Sequence, residues 1–230
     1  MTLSLDAITL GAHDPQIARR FYSAAVAPDV VRVADADQKP SGFQGYTVSY
    51  IVEQPTEVQT VVDAAARAGA TVLKPAKKML FGAFSGVFEA PDGSIWKVAA
   101  PTKKDTGPAA AEPKPTEIAA LLGVESPKKS KAFYEALGLT TDRDYGDKYI
   151  DFAPADGAHR LGLMTRKALA KDAGVAEGSG VITNLTLEHR TGPDDIAPLL
   201  DKAKAAGATV TSEDSFTDPD GYVWVVTATS

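Results

Sequence analysis

The chain has 230 residues, 44% of them hydrophobic and 23% charged, with a formal net charge of −6 and no cysteine. That length accommodates two domains of ordinary size. The acidic balance excludes a basic nucleic-acid footprint, and the missing thiols exclude disulfides, Cys-ligated zinc, iron–sulfur clusters and thiol nucleophiles. The N-terminal MTLSLDAITL has no basic leader region and reads as a first strand. No apolar run approaches the ~18 residues of a membrane span.

From Ile8, ITLGAHDPQIARRFYSAAV gives a short strand, a polar break and a helix, with Asp14 as N-cap and Pro15 at the first helical position. Ile17, Phe21 and Ala24 recur at helical spacing and are expected to face the core, with Arg19 and Arg20 in water. DVVRVAD adds a short strand before a loop with Pro40 and Gly42. In TVSYIVE, alternation puts Val48, Tyr50 and Val52 on a core face and Thr47, Ser49 and Ile51 on the other. The helix DAAARAGATV ends at Gly69, where a left-handed residue is wanted. The segment KPAKKMLFGAFSGVFEAPDG reads as a hairpin arm carrying Met79, Leu80, Phe81, Phe84 and Phe88. After the Asp92-Gly93 turn comes a last strand with Trp96 and Val98 on the core face and Lys97 opposite.

PTKKDTGPAAAEPKP, residues 101–115, has linker composition. Beyond it the pattern returns. ALLGVESPKKSKAFYEALG repeats the first strand and helix, with Ser126-Pro127 at the helix start and Ser130, Phe133 and Leu137 facing inward. DYGDKYIDF places Tyr145, Tyr149 and Phe152 near an edge. DKAKAAGATV ends at Gly207, and FTDPDGYVWVVTA repeats FEAPDGSIWKVAA, with Val225 where the first copy has Lys97. Such ordered self-similarity reads as a tandem duplication, with an N-terminal domain over 1–100, a linker over 101–115 and a C-terminal domain over 116–230. GVAEGSG, from Gly174, reads as a loop and not as a phosphate cradle, because no helix follows it.

The combination of a Phe-Tyr helix, an AAGA helix end and a PDG turn before a Trp strand resembles the vicinal oxygen chelate superfamily, which includes glyoxalase I, extradiol dioxygenases and fosfomycin- and bleomycin-resistance proteins. The resemblance covers both halves. It implies an α+β fold of two tandem domains built from βαβββ modules with curved mixed sheets, and one U-shaped cleft per half. In metal-using members the ligands are His or Gln, His, and Glu. The matching positions here are Ala7, Thr47 and Lys97 in the first half and Ala119, Asn184 and Val225 in the second. Alanine and valine offer no donor atom and a lysine repels a divalent ion, so neither a metal nor another cofactor is expected. His13, His159 and His189 read as surface or capping residues. Glu188 faces the cleft and His189 the opposite side.

The reading that follows is a metal-free, glyoxalase- or bleomycin-resistance-like protein that sequesters a small aromatic or antibiotic-like ligand without catalysis. The expected ligand-binding residues are Thr9, Thr47, Ser49, Phe81, Phe84 and Lys97 in the first half, and Leu121, Tyr149, Asn184, Thr186, Glu188 and Val225 in the second. The alternative is a lyase, isomerase or dioxygenase-type enzyme with non-standard ligands, or with Lys97, Glu53 and Glu188 as acid–base groups. An interaction module whose clefts are filled by side chains is a third. The expected partner is a small molecule, with no nucleic acid and no membrane. The chain is expected to be a monomer or weak homodimer in the cytoplasm.

Overall fold

The computed structural model describes residues 2–38, 40–78, 83–178, 182 and 184–229. The first half runs β1 (Ala7–Ala12), α1 (Pro15–Ala25), β2 (Arg32–Asp35), β3 (Tyr46–Ile51), α2 (Pro55–Arg67), β4 (Thr71–Lys78), β5 (Phe84–Glu89) and β6 (Ile95–Ala100). The second runs β7 (Glu117–Val124), α3 (Pro127–Ala136), β8 (Thr141–Asp144), β9 (Ile150–Phe152), β10 (Arg160–Thr165), α4 (Arg166–Ala173), β11 (Leu185–Thr191), α5 (Ile196–Ala205), β12 (Thr209–Ser212), β13 (Ser215–Thr217) and β14 (Val223–Ala228).

Two curved mixed sheets result, and each takes strands from both halves. The six-stranded sheet has the order β12-β13-β14-β11-β1-β2, and the eight-stranded sheet β4-β5-β6-β3-β7-β10-β9-β8. Each is joined by one antiparallel pair between halves, β1 with β11 in the first and β3 with β7 at the centre of the second. The expected single cleft per half is therefore corrected: the sequence repeat and the sheet are different units. Each such pair covers one strand edge of each half and leaves β12, β2, β4 and β8 as the outer strands. The linker is also held down. Thr106 N and Gly107 N donate to Gln54 Oε1 at 2.8 and 3.1 Å, and Ala110 N donates to Glu57 Oε1 at 3.2 Å.

One face of each sheet packs against helices and shares a continuous apolar core. That core holds Ile8, Leu10, Val48, Tyr50, Trp96, Val98, Trp224 and Val226, as strand alternation predicts. The repeated motifs meet inside it. Tyr22 OH donates to Asp92 and lies 3.0 Å from Ser94 Oγ, which accepts from Trp96 Nε1 at 2.9 Å. In the second copy Tyr134 OH donates to Asp218 at 2.5 Å and accepts from Trp224 Nε1 at 3.3 Å. Phe88 stacks on Trp96 and Phe216 on Trp224, at centroid distances of 6.3 and 6.1 Å. The Phe-Tyr helix and the PDG-Trp strand recur together because each supplies the other's buried hydrogen-bond partner.

Two local expectations separate. Ser130, Phe133 and Leu137 are buried as expected, whereas Ile17 is 50% exposed. The buried stripe of α1 is Ala18, Phe21, Tyr22 and Ala25, at i, i+3, i+4 and i+7, and Ile17 falls just outside that arc. Asp14 Oδ1 accepts from Gln16 N and Ile17 N at 3.1 and 3.0 Å. The Ser126 side chain makes no cap bond, and Asp220 instead accepts from Glu125 N at 3.1 Å and from Ser130 Oγ at 2.5 Å. Asp14→Ala should thus lower the unfolding free energy by about 1 kcal/mol, and Ser126→Ala by much less, as urea titration would show.

Candidate functional site

The faces turned away from the helices carry the candidate residues, and the two sheets treat them differently. On the eight-stranded sheet, Thr47 pairs with Leu121, and Ser49 with both Ala119 and Lys97. This face is covered by α4. Leu169, Ala170 and Ala173 pack against Phe43, Val87, Ile95 and Leu121 in a second apolar cluster. The helix is fastened at both ends. Arg166 Nη2 donates to Phe43 O at 2.7 Å, with its guanidinium 5.4 Å from the Phe43 ring centroid. At the other end Lys74 Nζ donates to the carbonyls of Lys171 and Asp172 at 2.8 and 2.6 Å, satisfying last-turn acceptors that the helix leaves free. Lys97 Nζ lies 2.6 Å from Asp172 Oδ2.

Thr47, Ser49 and Leu121 are therefore sealed, Thr47 to 2% exposure with no hydrogen-bond partner for its Oγ1. Lys97 is an anchor for α4. Its ion pair is partly exposed, so Lys97→Met should cost about 1 kcal/mol or less, measured by urea titration. Tyr149 donates to Asp151 at 2.7 Å and lies beneath the Arg143 guanidinium, and Asp151 Oδ2 is 3.5 Å from Arg160 Nη1. Burial and the Asp151 bond hold the Tyr149 hydroxyl well above the usual phenol range. Thr47, Ser49, Leu121, Lys97 and Tyr149, expected to touch a ligand, make packing, hydrogen-bond or ion-pair contacts within the chain. Phe84 joins the main core because alternation places it with Phe88, leaving Ser85 and Val87 on the far face. Phe81 lies outside the described residues.

The corresponding face of the six-stranded sheet is different. Across its strands run the rows Ala7–Glu188–Val225 and Thr9–Thr186–Val223. None of these side chains belongs to either apolar cluster. Thr9, Thr186, Val223 and Val225 are partly exposed. Ala7 and Glu188 are buried, at 8% and 6% exposure. Thr9 Oγ1 donates to Glu188 Oε1 and Arg32 Nη1 to its Oε2, so the carboxylate is bonded and paired where it leaves water. Asn184 lies opposite Gly11 at the end of this face. It is buried, and its Oδ1 accepts from Tyr46 OH at 3.0 Å, tying the two sheets together.

The donors present do not fit the metal set of the superfamily. Ala7 and Val225 flank Glu188, whose two oxygens are already engaged by Thr9 and Arg32. Among the described residues no three His, Cys, Asp or Glu side chains come together as a metal cluster. His189 is buried, not at the surface as expected, because the N-terminal segment closes over the end of β11. Its Nδ1 lies 3.1 Å from Asp6 Oδ2 and 3.0 Å from Ser4 Oγ. Serine and aspartate meet the same ring nitrogen, so the group cannot relay a proton between them.

No protein-family model matches the chain, and no curated protein matches it. Solved structures do. Glyoxalase I from Zea mays aligns at 15% identity over 98% of this chain and 92% of that one, with a TM-score of 0.66. A single-substitution variant of the same enzyme gives 16%, 99%, 94% and 0.67. A Bacillus subtilis protein assigned to the dioxygenases aligns at 15% identity over 99% and 85% of the two chains, with a TM-score of 0.64. The chain has the vicinal oxygen chelate fold.

Within that fold, two functional features escape the sequence reading. Arg32 sits in a four-residue strand whose register could not be fixed without knowing that Thr9 is its neighbour. The covering helix α4 carries its own local signals, a Thr165 N-cap, a left-handed Gly174 at its end, and Leu169, Ala170 and Ala173 at i, i+1 and i+4, but none of these says which face it covers.

Proposed function

We propose that this chain binds a small molecule on the open face of the six-stranded sheet, without a metal and without turnover. The observation that carries the reading is the Thr9–Glu188–Arg32 group: a buried, hydrogen-bonded carboxylate placed on a face that no apolar cluster covers. Thr186, Val223 and Val225 supply the hydroxyl and shallow apolar contacts that let a flat ligand lie against the strands. The aromatic or antibiotic-like character of the ligand belongs to this proposal, as do a cytoplasmic location and a monomeric or weakly dimeric state. No described helix is long and apolar enough to cross a membrane.

The enzymatic alternative needs Lys97, Glu53 and Glu188 to share a site. Lys97 belongs to the eight-stranded sheet and pairs with Asp172, Glu53 is exposed, and Glu188 belongs to the six-stranded sheet. No geometry on these residues favours it.

The test is thermal denaturation against a panel of aromatic and antibiotic compounds, with parallel titration by nickel, zinc and iron(II). A compound at 100 times its Kd should stabilise the chain by about 2.7 kcal/mol, and Glu188→Ala should abolish that shift. Stoichiometric metal uptake at the Ala7–Glu188–Val225 row would overturn the metal-free reading.

A further inference from the structure

A second recess, of about 680 Å³, opens beside the edge of β1, where residues 6–8 run before β2 begins to pair at Thr9. Its other walls are residues 28–33 and the turn at 157–159. The floor includes Ala7, Ile8, Val30, Val31 and Val33, and is apolar. Three arginines line it: Arg19 and Arg190, and Arg32 through its stem.

The three arginines differ in their commitments. Arg32 gives one nitrogen to Glu188, and Arg19 gives one to Val33 O at 3.0 Å. Arg190 offers its whole guanidinium, for which the described residues supply no partner; only its backbone N–H is used, by Asp6 at 2.6 Å. The lining carboxylates are Asp6 and Asp29. Asp6 is occupied by Ser4 and His189 as well as by Arg190 N, and Asp29 is exposed at the rim. With Arg32 paired to Glu188, Arg19 and Arg190 face Asp6 and Asp29, and of these four Asp6 already has its bonds inside the chain. Burial holds the His159 imidazole below its usual value, so the positive character comes from the arginines.

We infer that this recess binds a small molecule with an apolar body and one anionic group, a carboxylate or a phosphate monoester, whose charge is taken by Arg190 and Arg19. The apolar floor accepts the body, and unspent guanidinium N–H groups match a planar or tetrahedral oxyanion. The inference does not depend on the open face of the same sheet. Only Arg32 joins the two, because its guanidinium turns toward Glu188 while its stem lines the recess.

Benzoate and phenyl phosphate are suitable probes, with benzamide as the uncharged control, followed by titration of the full chain with methyl-labelled Ile and Val. Either anion should bind at least about tenfold more tightly than benzamide, with shifts confined to Ile8, Val30, Val31 and Val33. The tighter of the two identifies the anionic group. Arg190→Met should weaken the anion by about tenfold, and Arg19→Met combined with it should bring the anion to the level of benzamide. Equal binding of anion and benzamide, an unchanged affinity in the double variant, or shifts centred on Val223 and Val225 would each overturn the inference. The last of these would point to the open face instead.

Discussion

Leu169→Ala should lower the unfolding free energy by about 2–4 kcal/mol, among the larger costs of any single truncation outside the main core. Leu169 is fully buried on the face of the eight-stranded sheet that α4 covers. Its side chain, with Ala170 and Ala173, occupies the space above Leu121, Val87 and Ile95. Truncation leaves a cavity that the eight-stranded sheet cannot close by collapse, because its register is fixed on both sides by neighbouring strands. The polar fastenings contribute less: Lys97 and Asp172 are partly exposed, and such pairs are worth about 1 kcal/mol or less. Urea titration should therefore show a much larger fall in midpoint for Leu169→Ala than for Lys97→Met, at unchanged m-value. Equal effects would mean that α4 is held by charge and only rests on the sheet. A near-zero effect of Leu169→Ala would mean that the face is open to ligands after all.

The same contrast explains what the sequence could and could not tell. Strand alternation placed Ile8, Leu10, Val48, Tyr50, Trp96 and Trp224 on the core side, and Thr9, Thr47, Ser49, Lys97, Glu188 and Val225 on the other, because side-chain direction in a strand is a local property. Positive-φ glycines were equally legible: Gly69, Gly93, Gly207 and Gly221 all adopt left-handed backbone where a helix end or turn needs it. Which strand lies beside which is not local. The pairing of β1 with β11 and of β3 with β7 sends residues from the two halves into one sheet, and no periodicity encodes that choice. Hence Glu188 was visible as a lone carboxylate, but its partners Thr9 and Arg32 were not. The cover over Thr47 and Leu121 was hidden for a related reason: whether a strand's second face meets water or a helix is decided by a segment over 40 residues further on.

The contribution of Asp218 to stability should fall as pH rises from about 4 to about 6.5, and Asp218→Asn should remove that fall. Asp218 is buried in the turn that precedes β14. Its Oδ1 accepts from Asp220 N and Tyr222 N at 2.9 and 2.8 Å, and its Oδ2 from Tyr134 OH at 2.5 Å. Burial outweighs these bonds and, with the neighbouring Asp220 charge, pushes the carboxyl up from 3.8 to about 6. A folded-state value above the unfolded one means that the native chain binds more protons between them, so this contribution to stability is complete below 3.8 and is lost as pH passes through about 6. The gap corresponds to about 3 kcal/mol. The first repeat has Ala90 at the matching position and sends Tyr22 to Asp92 instead, so the effect belongs to the second copy alone. In Asp218→Asn the amide oxygen keeps the two backbone donors while Tyr134 loses its acceptor, at a cost of about 1–2 kcal/mol that does not vary over this range. Urea midpoints measured from pH 4 to 7 should show a downward slope in the parent chain that is largely absent in Asp218→Asn. A slope retained in the variant would place the titrating group elsewhere, with Asp218 ionised throughout and Tyr134 neutral.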